Sequence, residues 1–198
     1  MRTLIPTVFI ALSSTVLTVS GTWAQSPLPA IFQPAVDGLS ATCELTREIT
    51  PDVWTFQHTL EGSDAPTQFQ LAQVYCNRAA YNSSEIWLLA NEYGEVRTLA
   101  LAAPRFAVDY ASGGDQRAVQ SINVTGYGAN VEVSNSSFDP KTLTLTSFHK
   151  WRGMGDASEG GEWVFSNGDF LLRRYDVDAS WDDEVNPQTI VDFSGSNP

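Results

Sequence analysis

From residue 53 onward, apolar residues recur at alternate positions along most of this chain. Val53-Trp54-Thr55-Phe56-Gln57-His58-Thr59-Leu60 is rich in aromatic and β-branched residues. Phe69, Leu71, Gln73 and Tyr75 then alternate with Gln68, Gln70, Ala72 and Val74. Both segments read as strands. Glu85–Ala90 and Glu95–Ala102 flank Asn91-Glu92-Tyr93-Gly94, which predicts a hairpin whose glycine supplies a left-handed turn residue. Ala103 to Gln116 carries Pro104, Gly113, Gly114 and Asp115 and reads as irregular, a seam near 104–116 between two halves of a β domain.

The second half repeats the pattern. Val131 and Val133 alternate with polar neighbours, Phe138-Asp139-Pro140-Lys141 reads as a turn, and Thr142–Phe148 alternates Thr with Leu143 and Leu145. Glu162–Phe165 and Asp169–Tyr175 are joined through Ser166-Asn167-Gly168, the strongest hairpin signal in the chain. Thr189–Phe193 predicts a last short strand, and residues 194–198 a frayed tail. Eight or nine strands and no long amphipathic helix give a mainly β chain with little helix. The architecture expected is a hairpin-rich antiparallel β-sandwich or small barrel over residues 41–193.

The first part of the chain differs. Residues 1–24 read as a secretory signal peptide: Arg2 is a minimal basic start, Leu4 to Val19 is apolar, and Thr22-Trp23-Ala24 offers small residues for cleavage near Ala24. The run is interrupted by Pro6 and is short for a membrane span. Gln25 to Ser40 contains Pro27, Pro29 and Pro34 and reads as an extended lead-in with one helical turn near Ala35–Leu39. The expectation is a periplasmic or secreted protein with no membrane span once the leader is removed. Export favours joining the two cysteines, Cys43 and Cys76, in a structural disulfide.

Charge narrows the partners. The formal net charge of −12 disfavours binding to nucleic acid, whose phosphates need Lys and Arg, and to anionic lipid. Charged residues make up only 17% against 42% hydrophobic, which excludes a disordered chain. Five acids crowd Asp176, Asp178, Asp182, Asp183 and Glu184.

Two stretches resemble a known family. Val74-Tyr75-Cys76-Asn77-Arg78-Ala79-Ala80-Tyr81-Asn82 leads into Ile86-Trp87-Leu88-Leu89, and Leu143–Trp163 contains Lys150-Trp151-Arg152-Gly153-Met154-Gly155-Asp156 ahead of the Asn167-Gly168 hairpin. Together, over about residues 70–181, they resemble the C-terminal part of a bacterial exported family, the domain of unknown function 1176. The resemblance implies location and fold; the family brings no established activity. It also implies a disulfide between a cysteine after the Gly-Asp pair and one after the second hairpin strand. This chain has Ala157 and Ala179 at those places, so the loop from Arg152 to Gly161 is expected to be looser.

Candidate chemistry is sparse. His58 and His149 have no motif partners, and there is no HExxH, GxSxG or P-loop. Arg152 can grip a carboxylate or phosphate, and Asp156, Glu159 and Glu162 can supply paired carboxylates for glycosidic chemistry. The same run also fits a structural turn in which Asp156 caps backbone amides and Arg152 pairs with it. Asp176, Asp178 and Asp182 place oxygens like the start of a calcium loop, but Trp181 and Pro187 stand where an EF-hand needs Gly and Glu. Trp151 and Trp181 flank loops and are candidates for a surface platform, whereas Trp54, Trp87 and Trp163 fit core strands. Asn82, Asn123 and Asn135 head N-x-S/T sequons. The reading that follows is a non-enzymatic exported binding or envelope domain without a cofactor. It would contact a basic envelope protein or a glycan through Trp151, Arg152, Asp156, Glu159 and Trp181. The competing reading is a cell-wall or glycan hydrolase using acidic residues.

Overall fold

The computed structural model describes residues 28–44, 52–111 and 116–195. The leader and its cleavage point lie outside these residues. A 3-10 turn at Ala30–Phe32 runs into helix α1 (Gln33–Leu39). The strands are β1 (Asp52–Thr59), β2 (Pro66–Arg78), β3 (Ser83–Ala90), β4 (Val96–Thr98), β5 (Leu101–Tyr110) and β6 (Val119–Asn130). They continue with β7 (Glu132–Ser134), β8 (Ser137–Asp139), β9 (Thr144–Lys150), β10 (Ser158–Ser166), β11 (Asp169–Asp178) and β12 (Gln188–Asp192).

All the pairings described are antiparallel. The first sheet has the order β1-β2-β3-β4 with β7 also on β3, the second β12-β11-β10-β9-β8, and β5-β6 form a separate ribbon. The sheets face each other without closing a barrel, so of the two expected architectures the sandwich is the one formed. Period-two patterning supplies its core. Phe56, Phe69, Leu71, Trp87 and Leu89 of the first sheet meet Leu145, Trp163, Phe165, Phe170 and Val177 of the second. Phe165 sits edge-on to Phe56 at 4.9 Å and to Phe69 at 4.8 Å, an arrangement aromatic quadrupoles favour.

The opposite face of the first sheet is also buried. Ala72, Val74, Cys76, Ile86 and Leu88 pack beneath Phe32, which is fully buried, and beneath Leu28, Val36 and Leu39 of the helical segment. The Cys43–Cys76 disulfide staples the end of this segment to β2. Closing a 33-residue separation stabilises the chain by roughly 4 kcal/mol in the chain-entropy model.

The hairpins form where the turn residues place them. Asn167 (φ 49°) and Gly168 (φ 86°) are both left-handed, so β10 and β11 join through the two-residue turn that matches strand twist. The segment expected to be irregular departs from expectation: β5 continues through Pro104 to Tyr110, paired with β6. A two-stranded ribbon leaves one edge of each strand unpaired, so a proline that donates nothing is tolerated there. The single strand expected over Glu95–Ala102 is divided, β4 pairing with β3 before the chain turns off into the ribbon. The ribbon leans on the second sheet, with Phe106 stacked at 6.3 Å on Trp151.

A polar strap ties the connection between β7 and β8 to β3. Glu85, 5% exposed, accepts from Ser136 N (2.9 Å), Ser136 Oγ (2.7 Å) and Ser83 Oγ, while Trp87 Nε1 donates to Ser136 Oγ. Asn135 donates to Phe148 O and Asn82 Oδ1, and Asn82 donates to Lys150 O. The amide nitrogens of these two sequon asparagines therefore serve as ties between loops and strands.

Candidate functional site

The distinctive run Lys150–Asp156 closes the end of β9. Trp151 N donates to Ala157 O, and Gly155 (φ 77°) lets the chain reverse, its N–H donating to Arg152 O. The reversal drives Asp156 inward until it is 1% exposed. A buried carboxylate is costly unless it is paired and hydrogen-bonded. Arg152 meets it with two donors, Nε to Oδ1 and Nη2 to Oδ2, and Asp183 N donates to Oδ2 at 3.0 Å. Arg152 Nη2 also reaches Asp183 Oδ1 at 2.9 Å, and its guanidinium lies 5.3 Å over the Trp181 ring. Arg152, Asp156 and Trp181 are thus brought together, joined by Asp183.

The knot lies beside two buried alanines at the end of the β10–β11 ladder. Ser158 and Asp178 are the last partners of the β10–β11 register, and Ala157 and Ala179 are the next residues outward on the two segments. They are 0% and 1% exposed. The Asp156 carboxylate joins the Arg152–Gly161 loop to the segment after β11.

The acidic segment is built from beneath in the same manner. Asp178, 2% exposed, accepts from Ser180 N and Oγ through Oδ1 and from Asn186 N (2.7 Å) through Oδ2. Asp182 accepts from Glu184 N (3.0 Å) and Asn186 Nδ2. The Glu184 N–H, with lesser help from side-chain donors, holds the Asp182 carboxyl below its ordinary value. Asp176 belongs to a different group, with Arg174 and Thr189. Asp178 and Asp182 share the donors of Asn186 while Asp176 stands apart, and among the described residues no group of three or more His, Cys, Asp or Glu is placed to hold a metal. Tyr110 Oη donates to Ala179 O and Trp181 N donates to Gln116 O, which moors the segment to the β5–β6 ribbon.

Glu159 stands apart from this knot. It lies opposite His149 in the register; Tyr175 Oη donates to its Oε2 at 3.1 Å, and His149 Nδ1 stands 3.7 Å from Oε1. Burial, then the Glu159 charge, pushes the Tyr175 phenol far above its usual range. Glu162 is three positions along the same strand and so faces outward, near Arg173 at 3.6 Å. Asp156, turned inward on Arg152, stands apart from the other two acids, which both border an open groove of about 400 Å³. His58 packs edge-on against Phe165 at 5.2 Å. Sequence reasoning missed the structural parts played by Asp178 and Asp183. The positive φ of Asp183 (70°) has no local sequence signature beyond the tolerance of Asp for that region.

The family model described as protein of unknown function (DUF1176) matches residues 36–180, a span beginning well before the motifs at Val74–Asn82. No curated protein and no solved structure matches the chain.

Proposed function

We propose that this chain, which belongs to the DUF1176 family, is an exported, non-enzymatic domain that binds a basic partner of the cell envelope at the lip formed by 152–161 and 179–184. One observation carries the reading. The lip backbone is fixed from within by two buried carboxylates, Asp156 and Asp178, while Asp183 and Glu184 are exposed at its rim. A loop ordered beforehand loses little entropy on binding, and exposed carboxylates of one sign select and steer a cationic surface. The net charge of −12 extends that steering beyond contact range at low salt. Trp151 and Trp181, both half-buried, flank the rim and offer ring surface beside the acids.

The test is capture from an envelope extract at low ionic strength, with the processed protein immobilised beside an Asp183→Asn/Glu184→Gln variant. A basic protein retained by the first, shed on raising salt and not held by the second is the expected result. Retrieval of nothing, under conditions where a control bait captures its partner, ends the proposal. Export is checked on the same sample: the protein recovered from the periplasm or medium is expected to begin at Gln25.

A further inference from the structure

The end of the sandwich opposite the lip holds a second feature. β11 spans ten residues, so its two ends lie about 30 Å apart. At the far end three hairpin tips meet. Glu61 N donates to Asn167 Oδ1 at 2.7 Å, and Arg97 crosses from the first sheet to Gly168 O (2.9 Å) and Asp169 Oδ1 (3.0 Å). Between the tips lies an open groove of about 510 Å³. Leu60, Phe69, Leu89 and Val96 line its apolar part.

The rim is acidic and aromatic. Asn91 holds the β3–β4 turn by accepting from the N–H groups of Tyr93 and Glu95. That turn sets Glu92, Tyr93 and Glu95 around the mouth. Tyr93 is 81% exposed, although nothing in the fold requires an aromatic ring in a solvent-facing turn. Arg97, the basic residue of the lining, already serves Gly168 and Asp169, so it does not neutralise both rim glutamates. A hydrogen bond to Glu92, then that carboxylate's charge, raises the Tyr93 phenol above its usual value.

We propose that this groove is a binding site for a cationic amphipathic peptide segment. An apolar side chain of the segment would sit on the Leu60–Leu89–Val96 surface against the Tyr93 ring, with neighbouring Lys or Arg at Glu92 and Glu95. Charge complementarity chooses a cation over an anion, and the apolar lining chooses a side chain over a bare ammonium ion. The site is separate from the lip and does not rest on the lip's function.

The test is a titration of the isotope-labelled full chain, followed by amide NMR, with the blocked peptides Lys-Phe-Lys and Lys-Ser-Lys. Lys-Phe-Lys should shift the amides of Tyr93, Val96, Arg97 and Gly168, and bind about tenfold more tightly than Lys-Ser-Lys. Glu92→Gln/Glu95→Gln should weaken it about fivefold, and Asp183→Asn/Glu184→Gln at the lip should leave it unchanged. The spectra themselves report whether each variant is folded. Equal affinity for the two peptides, or shifts that gather elsewhere, would overturn the proposal. So would affinity that survives neutralisation of the rim, or that falls equally with the lip variant.

Discussion

Replacing Ala157 and Ala179 together by cysteine is expected to create a second disulfide. Ser158 and Asp178 are register partners at the end of the β10–β11 ladder, and the next residues outward are Ala157 and Ala179. Directly opposed residues of antiparallel strands have Cα atoms about 4.5–5.5 Å apart, within the range a disulfide spans. The closed loop holds about 22 residues, worth about 3 kcal/mol of denatured-state entropy. Against this stands the cost of two sulfur atoms where both alanine side chains are fully buried, about 1–2 kcal/mol. The net expectation is a gain of about 1–2 kcal/mol, or about 3–6 °C in Tm for a domain of this size. Urea denaturation of the double variant, with and without reductant and referred to the parent, measures it; peptide mapping separates the new bond from Cys43–Cys76. Two titratable thiols persisting in the oxidised, folded variant would show that these residues do not face each other, and would refute the register argument.

Three further outcomes follow from the same contacts. Asp156→Ala strips the Arg152 guanidinium and the Asp183 N–H of their shared acceptor and should cost about 3 kcal/mol in urea denaturation, with Asp156→Asn costing less because it keeps one acceptor oxygen. Cys43→Ala/Cys76→Ala should cost roughly 4 kcal/mol and release the helical segment first, seen as early loss of amide protection at Phe32–Leu39. Asp182 is held below the ordinary carboxylate value in the folded chain, so its contribution is complete above the unfolded value and disappears as pH falls through the folded one. The Glu184 amide resonance should therefore move with a midpoint below about pH 4. The same shift should be absent in Asp182→Asn, and a midpoint at or above the ordinary value would contradict the hydrogen-bonding arrangement.

Much of the candidate lip was readable along the chain. Arg152, Gly155 and Asp156 lie within five positions, so the glycine turn and the i,i+4 ion pair are local geometry. The partner that completes the knot was not readable. Asp183 stands 27 positions away and reaches Asp156 through a backbone N–H, which every residue but proline possesses. Glu159 and Glu162 looked alike as neighbouring acids; strand pleat sends them to opposite faces, one to Tyr175 and the other to Arg173. The groove at the far end escaped notice because its floor and rim come from three hairpins that no short spacing connects.

Alternation, turn chemistry and cysteine count acted over a few residues at a time; they sufficed for most strands of the two large sheets, the Asn167-Gly168 hairpin and the Cys43–Cys76 disulfide, but not for the β5–β6 ribbon. The stretches that carry the family resemblance share that local character, since they are turns, glycines and aromatic strands in order. Partner choice was decided only when strands distant in sequence met. β7 returns to β3, and Pro104 is accommodated within a ribbon. β2 is buried on both faces because α1 and Cys43 cover the side that carries Ala72, Val74 and Cys76. A period of two says which residues share a face; it carries no information about what lies against that face. The charge illustrates the same division. Its sign and sum belong to composition, but the order of the acidic rim comes from buried Asp156 and Asp178, held by donors from loops and strand ends that only the assembled sandwich brings within reach.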